Sequence, residues 1–397
     1  MSNVLTISII IKMAGTKIKD EFKELVSPFL KSKFFEIEKK YGKLSKEYEA
    51  LEKQYIKNKL EKFIDPSLEK PRHYQSGLKG FYENKPLVGL ERLYKKTILI
   101  EPTTVCAAHC RWCLRGQYPV ETMQKDDITN AAKFMGTEER RKELDEVLIT
   151  GGDPLMSLPL LDYTINEISK YADNIKIIRV ASRVPFQDPA RINEKMLEIF
   201  SKNNKLRFEL GTHINHPIEF WDESIEAIKK LQSVGFKIYN QNPLLKGVND
   251  NFETLSRLYQ LLRDYDIENH YLFHAIPLRG MSHHRTSLNK GLELVNQLSS
   301  CGEFSGRAKP KYSVLSDIGK IIIYQDTIIK KDHRTNSLLL KSGFKIEDRI
   351  KWNPSWQKPE TVEIDKDGYM NVWYLDGSDK IIDENFNKEE KIIKFVK

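Results

Sequence analysis

Between residues 97 and 299, short apolar runs alternate with amphipathic segments, and this alternation restricts the fold more than any other feature of the chain. Runs rich in β-branched and aromatic residues fall at 97–101, 146–150, 175–181, 206–211, 237–242 and 270–275. Helical periodicity appears near 158–170, 189–200, 217–234, 251–265 and 288–299. A strand that rejoins its sheet after a helix lies parallel to its neighbour through a right-handed crossover. The pattern predicts an α/β fold, a (β/α)6 partial TIM barrel, with ligands beyond the carboxyl ends of its strands.

The flanks read differently. A length of 397 residues accommodates a large α/β domain with additions. Residues 1–90 predict a helical extension, charged over 18–63 and interrupted at Pro28 and Gly42. Within it Leu44, Tyr48, Leu51 and Tyr55 form an apolar helical stripe. That stripe predicts packing on the main domain or a homo-oligomer contact. The core is expected at 91–309. Beyond Pro310 short strands and turns predict a small β-rich C-terminal addition over 310–397, with Asp365-Lys-Asp-Gly368 as a hairpin connection. The closing Glu of a calcium loop is missing there.

A net charge of +8 is mild for this size and fits an anionic ligand; nucleic acid is not an expected partner. The apolar run Val4 to Ile11 is shorter than the ~20 residues a membrane span takes. It also lacks the basic flank of a secretory signal, and Met13 is a second candidate start. No cysteine pattern suggests a disulfide framework, so a cytoplasmic protein is expected.

Three of the four cysteines fall in Cys106-Ala-Ala-His-Cys110-Arg-Trp-Cys113, directly beyond the first expected strand. Thiolates are soft ligands that select Fe–S clusters or Zn. Structural Zn takes a fourth ligand, usually from a second Cys or His pair, and none follows nearby. Three ligands leave one iron of a [4Fe–4S] cube open to a small molecule. Gly151-Gly152-Asp153 ends the second strand, and adjacent glycines let backbone approach a ligand closely.

The spacing C-x3-C-x2-C resembles the signature of the radical S-adenosylmethionine (SAM) superfamily. Further pieces resemble its lysine 2,3-aminomutase family. In order they are Ile64-Asp65-Pro66, Gly89-Leu90, the cysteine run with Arg115, Gly151-Gly152-Asp153, Ser182-Arg183-Val184-Pro185, His213-x-Asn215-His216-Pro217, Asn240-Gln241, Leu245-x-Gly247-Val248-Asn249-Asp250 and Arg285-Thr286. The resemblance implies that Cys106, Cys110 and Cys113 hold a [4Fe–4S] cluster, with Trp112 packed by cluster and adenine. It implies that Gly151, Gly152, Asp153, Ser182, Arg183, His213 and Gln241 surround SAM. Arg115 matches the arginine that clamps the substrate's α-carboxylate, a task suited to a guanidinium fork. The implied chemistry is one-electron cleavage of SAM to a 5′-deoxyadenosyl radical that abstracts hydrogen from the substrate. A reductant such as flavodoxin or ferredoxin is the implied partner.

The chain departs from the family where pyridoxal phosphate (PLP) binds. Tyr94 matches, but the family's flanking arginines fall on Leu93 and Thr97; Arg92, Lys95 and Lys96 are nearby charges expected at the surface. Lys320 stands at the Schiff-base position, yet one glycine replaces a glycine run and Ile318 lies within it. Binding of PLP is therefore not expected; the alternative is a PLP-dependent aminomutase using Lys320. Ile276 replaces the family's aspartate for the distal amine of lysine, whose buried ammonium would lose its partner at a cost of several kcal/mol. His274, Arg279, His283 and His284 are local candidates for reading a different substrate. The expectation is an amino acid or amino-acid-like substrate other than L-lysine. The outcome stays open among isomerisation, dehydrogenation, elimination and coupling. A structural zinc or nucleic-acid-binding module is the remaining alternative.

Overall fold

A computed structural model describes residues 22–62, 77–117, 121–303 and 309–379. A short hairpin of β1 (Phe81–Tyr82) and β2 (Lys85–Pro86) precedes β3 (Leu90–Glu91), which pairs antiparallel with β4 (Thr97–Thr103). The parallel strands then follow: β4, β5 (Glu146–Gly151), β6 (Ile177–Ala181), β7 (Arg207–Thr212), β8 (Lys237–Leu244), β9 (Glu268–His274) and β10 (Lys311–Ser316). An antiparallel β11 (Gly319–Ile322) closes the sheet. The nine strands run in the order β11-β10-β9-β8-β7-β6-β5-β4-β3. They curl into a partial barrel, as the alternation predicts. The two edges meet at one point, where the Lys320 N–H donates to the Tyr94 hydroxyl at 3.2 Å.

The helices are α1 (Pro28–Tyr41), α2 (Lys46–Tyr55), α3 (Lys125–Met135), α4 (Glu138–Arg141), α5 (Leu158–Tyr171), α6 (Val184–Gln187), α7 (Glu194–Ser201), α8 (Asp222–Ser233), α9 (Phe252–Asp264), α10 (Leu288–Ser300) and α11 (Ile346–Trp352). Three starts differ from expectation. Pro28 opens α1 rather than interrupting it, because a first-turn residue needs no N–H partner; Ser27 caps the helix through the Leu30 N–H. The helix expected from 189 begins at Glu194, capped by Asn193, after a 3-10 turn at Pro189–Arg191. That expected from 217 likewise begins at Asp222 after the turn Pro217–Glu219.

Period-two alternation divides the sheet's faces. Ile98, Ile100, Val147, Ile149, Ile178, Val180, Phe208 and Leu210 are buried against helix residues such as Ile165, Ile168, Phe200, Leu231 and Leu258. Each such side chain contributes roughly 1.5–3 kcal/mol by leaving water. The opposite parity faces the inside of the curl. It carries Glu101, Glu146, Arg179, Glu209, Tyr239, Gln241, Tyr271, Phe273 and Lys320.

The N-terminal helices pack on this body. Leu30, Ile37, Leu51 and Tyr55 are buried with Ala108, and half-buried Ile218 and Trp221 join them. The apolar stripe is thus covered within the chain. Leu44 is not part of it: it precedes the Ser45 cap of α2 and is fully exposed. At the other end, β12 (Ile328–Asp332), β13 (Ser337–Leu340), β14 (Val362–Ile364) and β15 (Met370–Leu375) form a separate sheet ordered β12-β13-β15-β14. The buried Arg285 pins β15 to the barrel by donating to the carbonyls of Ala275, Leu375 and Asp376. Asp365 accepts N–H bonds from Asp367 and Tyr369 within the expected hairpin. The first strands beyond Pro310, β10 and β11, extend the barrel sheet rather than this second one. The Ile64-Asp65-Pro66 motif lies outside the described residues.

Candidate active site

The three cysteines lie just past the carboxyl end of β4. Their loop is seated on the end of β5 by the paired glycines. A Cβ on Gly152 would stand 2.5 Å from the Thr104 carbonyl carbon and the Val105 oxygen; one on Gly151, at φ +107°, would stand 2.5 Å from the Thr103 oxygen. In place of side chains there are hydrogen bonds from Gly152 N–H to Thr103 O and from Asp153 N–H to Val105 O, both 2.7 Å. The glycines therefore press the cysteine loop onto the sheet, a task beyond the ligand approach expected of them.

Cys106, Cys110 and Cys113 are all half-exposed. Burial raises the pKa of Cys113 to about 11, with the neighbouring Cys110 adding to it. Burial pushes the Cys106 thiol higher still, helped by Asp153 and the other two sulfurs. Cys110 Sγ receives an Arg183 Nη1–H bond at 3.0 Å and a Gln187 Nε2–H bond at 3.4 Å. Three soft thiols, one of them met by a guanidinium and an amide, suit iron–sulfur ligation, where N–H bonds to sulfur hold negative charge. No three His, Cys, Asp or Glu side chains among the described residues share one ion position, whereas a cubane takes each thiolate to its own iron.

Arg183 organises the surroundings. Its backbone N–H donates to Asp153 Oδ2 at 2.8 Å, and its Nη2 reaches Glu219 Oε2 at 2.7 Å and Gln54 Oε1 at 3.1 Å. Its guanidinium lies 5.0 Å from the Trp112 ring centre and 5.2 Å from that of Tyr55. Asp153 also caps the turn after β5 through the Leu155 N–H. Burial raises its carboxyl to about 6. Ser182 Oγ accepts from the Val184 N–H. Trp112 joins an apolar cluster with Ala50, Leu245, Val248 and Ala275, a surface suited to a flat base. Burial lowers His213 to about 3, with Arg183 and Lys320 adding repulsion, so its imidazole is neutral. Gln241 lies over Gly211, where a Cβ would stand 2.6 Å from its Nε2. Buried Arg183 Nε and Thr212 Oγ1 have no partner among the described residues. Orphaned polar atoms beside an apolar cluster fit a ligand such as SAM.

Several motif residues are structural. Asn240 exchanges hydrogen bonds with both backbone groups of Ile214, and Asn249 bridges Asn215 O and Pro243 O. His216 Nδ1 accepts from the Ile218 N–H as a cap. The residues that sequence reading passed over are Gln54, Gln187 and Glu219 around Arg183, and Glu91 and Glu101 around Arg115. Glu101 had a readable signal: a carboxylate within an otherwise apolar strand.

Arg115 reaches inward but is not open. Its Nη1 pairs with Glu91 Oε1 at 2.5 Å and with Glu101 Oε1. Burial works against its charge, yet the two glutamates hold its pKa above the usual value. Glu101, 6 % exposed, is itself raised to about 7, by burial first and then by Glu91. A further carboxylate here meets repulsion from an ionised glutamate and attraction from Arg115, each about 4 kcal/mol at ~4 Å and an effective dielectric of ~20.

Lys320 faces the lumen from β11. Its Nζ lies 5.1 Å from the Tyr271 ring centre and 5.4 Å from that of Phe273. Burial lowers its pKa to about 8, Arg179 repels it further and Glu146 partly opposes. A cleft of about 690 Å³ also borders it, lined by Ile322, Tyr324, Lys341, Phe344 and Tyr369 among others. Two of the three nearby phosphate candidates are engaged, and the third, Lys95, is exposed. Arg92, expected at the surface, is fully buried and bonded to Glu143 at 2.6 Å, and Lys96 pairs with Asp145 at 2.9 Å. The Tyr94 hydroxyl holds the seam. Ile318 is wholly buried in the main core. These residues do not fit a PLP phosphate cradle.

His274 is a core histidine, not a substrate reader: its ring nitrogens lie 2.8 Å from the Tyr374 hydroxyl and Thr286 O. His284 is buried, 4.1 Å ring to ring from half-buried His283. Ile276 and Arg279 are half-buried.

The radical SAM superfamily profile matches residues 100–259. An L-lysine 2,3-aminomutase of Methanococcus maripaludis is 34% identical over 58% of this chain and 53% of its own length. One of Buchnera aphidicola is 32% identical over 58% of this chain and 66% of its own. The chain thus spans between about half and two thirds of these curated relatives. A radical SAM methyltransferase structure from Sphaerobacter thermophilus aligns over 57% of this chain and 67% of that one, at 16% identity and TM-score 0.42, too loose a likeness to weigh. No described helix is long and apolar enough to cross a membrane. With its cysteine run at the mouth of a partial barrel, this chain carries a match to the radical SAM superfamily over residues 100–259 and is similar to lysine 2,3-aminomutases.

Proposed function

We propose that this chain is a cytoplasmic radical SAM enzyme acting on an amino acid or amino-acid-like compound other than L-lysine, without PLP. Cys106, Cys110 and Cys113 would hold a [4Fe–4S] cluster, and Trp112, Gly151, Gly152, Asp153, Ser182, Arg183, His213 and Gln241 would surround SAM. When bound, cluster and SAM supply a 5′-deoxyadenosyl radical able to take hydrogen from an unactivated carbon. The protein's part is placement: Arg183 and Gln187 donate to Cys110, and Asp153 fixes the Arg183 backbone. A flavodoxin- or ferredoxin-like reductant would supply the electron. In domain terms, an extension over 1–90 flanks a core over 91–309, and the part over 310–397 lends the core its last two strands.

The observation that carries this reading is the meeting of Cys110, Arg183 and Trp112 beyond the parallel strands. Anaerobic reconstitution followed by reduction with dithionite should yield 5′-deoxyadenosine from SAM, and the triple Cys→Ala variant should yield none. A colourless protein holding only zinc, or cleavage that survives the triple substitution, refutes it.

One observation favours a PLP-dependent aminomutase instead: Lys320 is a desolvated amine at about 8, the kind that condenses with carbonyls. An internal-aldimine absorption band lost in Lys320→Ala would establish it.

A further inference from the structure

Most buried guanidinium groups of this chain face a carboxylate: Arg92 has Glu143, Arg111 has Glu61 and Arg183 has Glu219. Arg349, on α11, is paired with none among the described residues, although it is only 1 % exposed. Its Nη2 donates to the Ile318 carbonyl at 2.6 Å. Its guanidinium lies 5.6 Å from the Phe344 ring centre and 5.4 Å from that of Trp356. Its Nε and Nη1 have no partner among the described residues, and neither has the buried Trp356 Nε1. Asp317, beside Ile318 in the chain, is engaged by the Thr361 hydroxyl. Burial lowers the guanidinium to about 10, so it is a cation at neutral pH. Three N–H donors around one cation, with no acceptor, call for a negatively charged oxygen. A buried cation that lacks one is costly. Phe344 also lines the cleft of about 690 Å³ beside β11, together with Tyr324 and Tyr369. The charges lining that cleft, Lys320 and Lys341 against Asp326 and Asp365, balance. Arg349 is the excess.

We propose that Arg349 and Trp356 form an oxyanion site, which takes the phosphate or carboxylate of a ligand whose apolar body lies in the cleft beside Phe344. Rotation of the Phe344 ring, shared by the cleft and the guanidinium, opens the way between them. The aromatic lining suits a planar body, and charge-assisted bonds from Arg349 fix its anionic end. The site joins the barrel's last strand to the C-terminal addition. None of its residues belongs to the cysteine loop or its surroundings, so the inference does not rest on the radical reading.

The test is calorimetric titration of the anaerobically reconstituted protein with phenyl phosphate and with phenol, at one ionic strength. Wild-type protein should bind phenyl phosphate about tenfold more tightly or better, as hydrogen bonds from a charged donor imply. Arg349→Met should abolish that preference, and Arg349→Lys should keep part of it. Trp356→Phe, which keeps the ring and removes one donor, should weaken phenyl phosphate alone by roughly two- to tenfold. It carries the test if Arg349→Met does not fold. Competition by inorganic phosphate marks a phosphate site and competition by phenylacetate a carboxylate site; either upholds the inference. It is overturned if wild-type protein shows no preference, if the preference survives Arg349→Met, or if Trp356→Phe binds phenyl phosphate as the wild type does.

Discussion

Arg183 and Glu219 form the most consequential ion pair beside the cysteines, and a double-mutant cycle between them has a calculable outcome. Glu219 is fully buried, and its Oε2 has the Arg183 Nη2 at 2.7 Å. Its Oε1 accepts from Asn215 N–H at 2.8 Å and His216 N–H at 3.0 Å. Arg183→Met would leave that carboxylate charged and without its cation, at about 3–5 kcal/mol. Glu219→Gln keeps an oxygen for the two N–H groups but removes the counter-charge of a buried guanidinium, and should cost a similar amount. In the double variant neither charge remains and the backbone contacts persist. It should therefore be no less stable than either single variant, a coupling of at least ~2 kcal/mol. Urea denaturation of the four proteins at neutral pH measures this. Additive losses, or an Arg183→Met loss below ~1 kcal/mol, would show that the pair is not what holds the two loops together.

Gly152→Ala should force the cysteine loop off β5, costing about 1–3 kcal/mol by overpacking and lowering iron retained after reconstitution; unchanged iron content would contradict the steric account. Lys320→Met should stabilise the protein at pH 7 by on the order of 1–3 kcal/mol, since it removes a desolvated amine. Because the folded pKa is lowered to about 8 from 10.5, the wild-type protein binds fewer protons than its unfolded chain between those values. Its stability should rise from pH 8 to 10.5, and the variant should lack that rise. For Glu101, raised to about 7 from 4.5, the folded state holds the extra proton. Stability should fall as pH climbs between those values, by up to about 3 kcal/mol, and Glu101→Gln should flatten that limb in pH-dependent urea melts. Single Cys→Ala replacements at 106, 110 and 113 should each lower iron and acid-labile sulfide relative to wild type; Cys301→Ala should not.

What could be read from the chain alone was what periodicity and local spacing encode. The strands from β4 to β9 follow from β-branched runs, and the cysteine loop from its own spacing. What could not be read depends on contacts distant in sequence. That Arg115 is held by Glu91 and Glu101 needs the pairing of β3 with β4. That Gln54 reaches Arg183 needs α2 laid across the barrel's mouth. Arg92 looked like surface charge because its partner Glu143 lies 51 residues on. β10 and β11 read as part of an appendage because two short strands carry no mark of which sheet they will join.

The seam between Tyr94 and Lys320 has a bearing on how the chain assembles. The partners are 226 residues apart, and β11 is the last barrel strand to leave the ribosome. Contacts of such separation form late, so the nascent barrel stays unzipped until β11, at Gly319–Ile322, has been translated. In native-state hydrogen exchange, the Lys320 amide should open with β11 as one cooperative unit, ahead of the parallel strands behind it.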